Sequence, residues 1–154
     1  MNLYKLHSKP ASLDHFEKVT ANNPDFFWEK YKNKPEELKK REKYIAKSPK
    51  HAYYYALDVL KGPFPLAEEA IAKDADSAYF YATNVLKGPF PKGEASISKD
   101  AYSSFLYAKD VLKGPFPAGE EAIAKDAYYA KLYTKRVLKK DFYLNGKLIA
   151  KYEP

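Results

Sequence analysis

The sequence predicts an all-α protein: a short α-solenoid of four 26-residue helical hairpins, with a divergent helical cap before them. Three observations carry this. The heptapeptide "VLKGPFP" occurs at 59–65, 85–91 and 111–117, and a degraded copy, "VLKKDFY", follows at 137–143. Aligned on it, residues 45–70, 71–96, 97–122 and 123–148 run in register without insertion or deletion, and "IAK" at 149–151 starts the pattern again. Within each copy the apolar residues keep a helical spacing, so one stripe per helix must be covered by a neighbouring hairpin.

The chain of 154 residues, 45% hydrophobic and 31% charged, fits one domain, with 1–44 as cap, 45–148 as repeats and 149–154 as tail. In the cap, "SLDHFEKV" is amphipathic, "NNPDFFWEKY" opens with Asn23 as N-cap and Pro24 at the first helical position, and "KPEELKKREKY" opens at Pro35. No apolar run approaches the roughly 18 residues of a membrane-spanning helix. The first sixteen residues lack the apolar core of a signal peptide, so a cytoplasmic location and no membrane partner are expected.

Each repeat can be parsed physically. Asp74, Asp100 and Asp126, with Ser48 in the first copy, stand where an N-cap oxygen is wanted. Ala52, Tyr55, Ala56, Val59 and Leu60 form one buried stripe, and the small residues Ala52, Ala56, Ala78, Ala82 and Ala108 let helices approach closely. Gly62 is expected in the left-handed conformation that ends the helix, and Pro63 cannot continue it. Phe64 turns into the core, and Pro65 opens a shorter helix through "LAEEAIA". In the last copy "FYLNGKLI" replaces that helix. Asn-Gly between alternating apolar residues signals a β-hairpin over 142–149, with a turn and a last helical fragment as the alternative.

Residue chemistry points away from catalysis. The chain has no cysteine, which removes disulfides, thiolate chemistry and cysteine metal sites together. His7, His15 and His51 are scattered, at no metal-ligand spacing, and read as exposed polar residues. Glu68-Glu69 and Glu120-Glu121 fall in the first turn of the short helix, where negative charge suits the helix dipole. No phosphate-cradling glycine loop is present. The expectation is a protein that is not an enzyme, with no cofactor, no metal site and no catalytic residue.

Two groups of residues suit a binding surface instead. Tyr55, Tyr81, Tyr107 and Tyr133 are invariant among the copies and read as core. Tyr53, Tyr54, Tyr79 and Phe80, with Tyr102, Tyr128 and Tyr129, vary between copies and lie beside the stripe. They are placed either to contact a partner or to seal the seam between repeats. The second group is basic. The net charge is +7, yet the first three copies are nearly neutral, whereas 123–148 carries seven Lys or Arg against two Asp. Lys131, Lys135, Arg136, Lys139 and Lys140 cluster there, suited to nucleic acid or an acidic protein surface, or simply to a solvated cap. A nucleic-acid groove would carry its basic stripe through every repeat.

The consensus of the copies, "IAKDAxYAYxYAxDVLKGPFPxGEEA", resembles tandem repeats of small accessory proteins of bacteriophages and prophages. The resemblance covers 45–151 and, more loosely, "PDFFWEKYKNKPEELKKREK". It implies a mobile-element origin and a non-enzymatic antagonist of a host or defence complex, of anti-CRISPR or similar kind, acting by occlusion in the bacterial cytoplasm. The expected partner is then a host protein or ribonucleoprotein complex. A nucleic-acid-binding accessory role through the basic end, and a structural or virion role, are the alternatives.

Overall fold

In the computed structural model of the chain, residues 24–154 are described; they are mostly helical, with a two-stranded antiparallel sheet near the C-terminus. The chain divides into two compact units, Met1–Ile45 and Ala46–Pro154.

In the first unit, α1 spans Pro24–Tyr31, α2 Pro35–Lys39 and α3 Glu42–Ile45. Asn23, His7, His15 and "SLDHFEKV" lie outside the described residues. Pro35 opens α2 as expected, because the N–H it lacks would have no helical partner. The charged run after it is not one helix. The Arg41 N–H closes a tight turn on the Leu38 carbonyl at 2.8 Å, and α3 starts afresh. The Arg41 guanidinium meets the Glu37 carboxylate at 2.5 Å and its carbonyl at 2.8 Å. Leu38, Tyr44 and Ile45 are buried.

The second unit repeats one motif. Helices α4 (Pro49–Tyr54), α6 (Ala75–Phe80), α8 (Ala101–Leu106) and α10 (Ala127–Tyr133) start at equivalent positions of the four copies. Each runs on as a π-helix, over Tyr55–Leu60, Tyr81–Leu86, Tyr107–Leu112 and Thr134–Leu138. The shorter helices are α5 (Glu68–Ile71), α7 (Pro91–Ile97) and α9 (Glu120–Lys125), and 3₁₀ turns at Pro65–Ala67 and Pro117–Gly119 lead into the first and last of them. Within a copy α4 packs on α5, α6 on α7 and α8 on α9, and successive long helices touch in the order α4, α6, α8, α10.

The caps follow the sequence in three copies of four. Asp74 and Asp100 accept from the N–H of Ser77 and Ser103 at 2.8 and 2.7 Å, and Asp126 accepts from both Tyr128 and Tyr129. Ser48 departs. Its hydroxyl lies 2.7 Å from His51 Nδ1 and makes no bond to a helix N–H. His51 is accordingly buried rather than exposed.

The π-turns overturn two further expectations. An i→i+5 turn advances each residue by a smaller angle than an α-turn. Val59 and Leu60 therefore swing away from the stripe that Ala52, Tyr55 and Ala56 define, and Leu60 is 36% exposed. Their equivalents Val85, Leu86, Val111, Leu112, Val137 and Leu138 are half-buried. The left-handed residue is also not the glycine. Lys61, Lys87, Lys113 and Lys139 have φ of 53–54°, one residue earlier. Lys61 and Gly62 then both donate to the Ala56 carbonyl, which closes the wider turn. A side chain at Gly62 would meet only ordinary contact, and the fourth copy carries Lys140 at that position.

Close approach is what other glycines serve. A Cβ on Gly119 would stand 2.6 Å from both the Phe116 ring and Ser104 Oγ, and one on Gly93 would stand 2.6 Å from the Phe90 ring and 2.8 Å from the Ala78 methyl. Phe64, Phe90 and Phe116 are buried, as are Ala52, Ala56, Ala78, Ala82 and Ala108.

The last copy ends in β1 (Phe142–Leu144) and β2 (Lys147–Ala150), which resolves the hairpin-or-helix alternative in favour of the hairpin. Asn145 and Gly146 both have positive φ, 51° and 78°, as a two-residue primed turn requires. Tyr143 pairs with Leu148 and Leu144 with Lys147, and an irregularity between Phe142 and Tyr143 sets Phe142 opposite Ala150.

Candidate binding surface

Some aromatic residues are consumed by the fold. The Tyr81 hydroxyl accepts from the Phe64 N–H at 2.8 Å and donates to Glu68 at 3.3 Å. Tyr107 does the same with Phe90 and Glu94, both at 2.9 Å, and Tyr133 with Phe116 and Glu120, both at 2.9 Å. Each bond reaches from one copy into the preceding one. The expectation that the invariant tyrosines are core residues is met, and the hydroxyls of Tyr81, Tyr107 and Tyr133 reach an adjacent repeat. It also gives the recurring glutamate a role beyond the helix dipole. Burial pushes the Tyr81 and Tyr107 phenols up to about 12, the Phe N–H partly opposing and the glutamate adding to it. Tyr133 is raised for the same reasons. These side chains have nothing left to offer a partner.

Of the variable aromatics, Tyr53 and Tyr79 are buried as well. The Tyr53 hydroxyl accepts from Asn84 Nδ2 at 2.8 Å, and Tyr79 donates to Asp110 at 3.0 Å, each 31 residues ahead in the next copy. Burial, and then Asp110, raise Tyr79 to about 12. These two seal the seam, the second of the roles their position allowed. Phe105 fills the same place in the third copy, with Lys109 Nζ 5.5 Å from its ring centroid.

The other variable positions stay open. Lys50 and Tyr54 on α4, Asp76 and Phe80 on α6, Tyr102 and Leu106 on α8, and Tyr128 and Leu132 on α10 are equivalent i, i+4 pairs. Such a pair lies on one side of its helix. Because the long helices pack in order, the four pairs line one face of the unit. Phe80 is 38% exposed, Tyr102 43% and Tyr128 65%, while Tyr54, Leu106 and Leu132 are half-buried. Tyr53 stacks beneath Phe80 with centroids 6.0 Å apart, and Tyr129 lies 5.7 Å from Tyr102. The buried Tyr53 thus backs Phe80, and the half-buried Tyr129 backs Tyr102. At one end of the face a groove of about 410 Å³ is lined by Lys50, Tyr53, Tyr54, Asp74, Asp76 and Phe80, among others.

At the other end the face turns basic. Lys131, Lys135, Arg136, Lys139 and Lys140 are all exposed, and among the described residues none forms an ion pair. Lys131 and Lys135 adjoin Tyr128 and Leu132 and, with Lys151 and Glu153 from the tail, line a cleft of about 240 Å³. Lys139 and Lys140 stand at the left-handed turn after the π-helix, so the five cations are not one uniform patch. Sequence reading named Tyr102 and Tyr128 as variable but missed Leu106, Leu132 and Lys151. The signal available was the i, i+4 partnership of positions 102 with 106 and 128 with 132.

No protein family, curated protein or solved structure matches this chain. Among the described residues no group of three or more His, Asp or Glu is arranged to hold a metal ion, and no helix is long and apolar enough to cross a membrane.

Proposed function

We propose that the protein acts by binding rather than turnover, as a short α-solenoid that docks a protein partner on the open face of its long helices. The observation that carries this is a division between equivalent positions. Positions 55, 81, 107 and 133 hold the same buried tyrosine, whereas positions 50, 76, 102 and 128 hold Lys, Asp, Tyr and Tyr in the open. Exposed aromatics on a rigid backing lose little entropy on binding and are the side chains that most often anchor interfaces. The resemblance to phage and prophage repeats makes the partner a host protein or ribonucleoprotein complex and the outcome occlusion, with Tyr54, Phe80, Lys131 and Lys135 at the contact.

The test is a paired one. Alanine at Tyr54, Phe80, Tyr102 and Tyr128 together should leave circular dichroism unchanged while a partner that co-purifies with the wild type is no longer retained. Retention of that partner by the fourfold variant would refute this face. A nucleic-acid role through the basic end is the second reading, favoured by its five cations, none of which forms an ion pair among the described residues. It requires binding to bare RNA or DNA that weakens steeply with salt.

A further inference from the structure

On α10 and its π-continuation, Tyr128, Lys131, Leu132 and Lys135 stand at i, i+3, i+4 and i+7, a single stripe. The same stripe in the second copy is Asp76, Tyr79, Phe80 and Thr83, and in the third Tyr102, Phe105, Leu106 and Lys109. In those copies its second position is buried in the seam, as Tyr79 and Phe105 show. In the last copy that position is Lys131, exposed. The fourth stripe therefore keeps the shape of a seam without its covering helix, and lysine replaces the sealing ring.

The tail completes a wall. The Tyr152 N–H donates to Asp141 at 2.8 Å, which fixes the chain where Lys151 and Glu153 reach the cleft. The result is an apolar floor of Tyr128 and Leu132 with three lysine ammonium groups around it. Among the described residues those lysines have no acidic partner, even though Glu153 shares the lining.

We infer that this cleft binds an acidic peptide segment of a partner protein, one apolar side chain seated on Tyr128 and Leu132 and flanking carboxylates on Lys131, Lys135 and Lys151. The inference rests on the docking reading above and names the chemistry of one end of that face. Charge complementarity selects the occupant. A nucleic-acid strand tracks a continuous basic groove, and here Lys109 of the neighbouring stripe is paired with Asp110 at 3.3 Å, Asp76 stands on the same face and Glu153 is in the wall itself. An acidic segment needs only a local cluster and gains from the apolar floor.

The probe is a labelled peptide of about twelve residues carrying Glu and Asp around one Leu and one Phe, read by fluorescence anisotropy at about 0.15 M salt. Its counterpart has every acid replaced by the amide. The acidic peptide should bind at least about tenfold tighter than the amide version, and Lys131→Glu with Lys135→Glu should weaken it by at least about tenfold. Tyr128→Ala should weaken it severalfold. Lys99→Glu with Lys125→Glu, the same charge change on other exposed lysines, should leave it within about twofold. Equal affinity for the two peptides, or an equal loss in the Lys99 and Lys125 control, overturns the inference. So does an oligothymidine that binds tighter than the acidic peptide, or a homodimer dissociated by the Lys131 and Lys135 reversals. If the peptide fails while Phe80 and Tyr102 still govern partner retention, the docking reading stands and the acidic assignment alone falls.

Discussion

The third and fourth copies differ in backbone and agree in packing. After its π-turn the third copy leads through Pro117 into α9; the fourth enters a β-hairpin instead. Yet Phe116 sits 5.1 Å from the Tyr107 ring, and Phe142 sits 5.3 Å from that of Tyr133, at nearly the same edge-on angle. Both phenylalanines are buried. What the repeat preserves is therefore a tyrosine–phenylalanine contact and the turn that delivers it, with the secondary structure that follows left free to change. The fourth copy gives up the second half of the hairpin, and with it the surface that would receive another repeat.

The sharpest way to break this comparison is at the phenylalanines. Phe116→Ala should cost about 3–5 kcal/mol in urea denaturation, and Phe142→Ala a similar amount, because the ring is equally enclosed. A loss at Phe142 below about 1 kcal/mol would show the hairpin to be an appendage rather than part of the repeat. Next come the hydroxyls. Tyr107→Phe leaves the Phe90 N–H and Glu94 without their partner and should cost about 1–3 kcal/mol, with Tyr133→Phe comparable. A smaller effect of pH follows from the same groups. The folded state holds the Tyr79, Tyr81 and Tyr107 phenols neutral up to about 12, against about 10 when unfolded. Their contribution is full below pH 10 and is lost as pH rises from 10 through 12, so the melting temperature should fall across that window and Tyr107→Phe should flatten the fall. The smallest expected change is at the turn. Lys113→Gly relieves a left-handed lysine and should raise stability by about 0.5–1 kcal/mol.

Much of this was legible in the sequence, and the limits are physical. The period, the aspartate caps, the close-packed alanines and the Asn-Gly turn depend on local rules that single residues announce. The burial of Val59 and Leu60 was misjudged because a 3.6-residue spacing was carried through a segment that widens to a π-turn, and no residue type marks that switch. Gly62 drew the left-handed assignment on propensity, although Lys140 at the same place in the fourth copy already showed that glycine was not required. The bonds from Tyr81, Tyr107 and Tyr133 to Glu68, Glu94 and Glu120 were visible only as a constant separation of thirteen residues, which says nothing until helices are stacked. On the surface, sequence variation picked out the aromatics. Only packing separates Tyr53 and Tyr79, whose hydroxyls bond across the seam, from Phe80, Tyr102 and Tyr128, which remain exposed.

The division between residues that fold the protein and residues left for a partner is tested most directly by urea titration of two variants side by side. One replaces Tyr54, Phe80, Tyr102 and Tyr128 with serine; the other is Phe116→Ala. Partly exposed rings should lose less than a fully enclosed one, about 0.5 kcal/mol each, so the fourfold variant should lose about 2 kcal/mol, less than the single Phe116→Ala. A fourfold variant less stable than Phe116→Ala would mean that these four aromatics hold the repeats together rather than serve a partner.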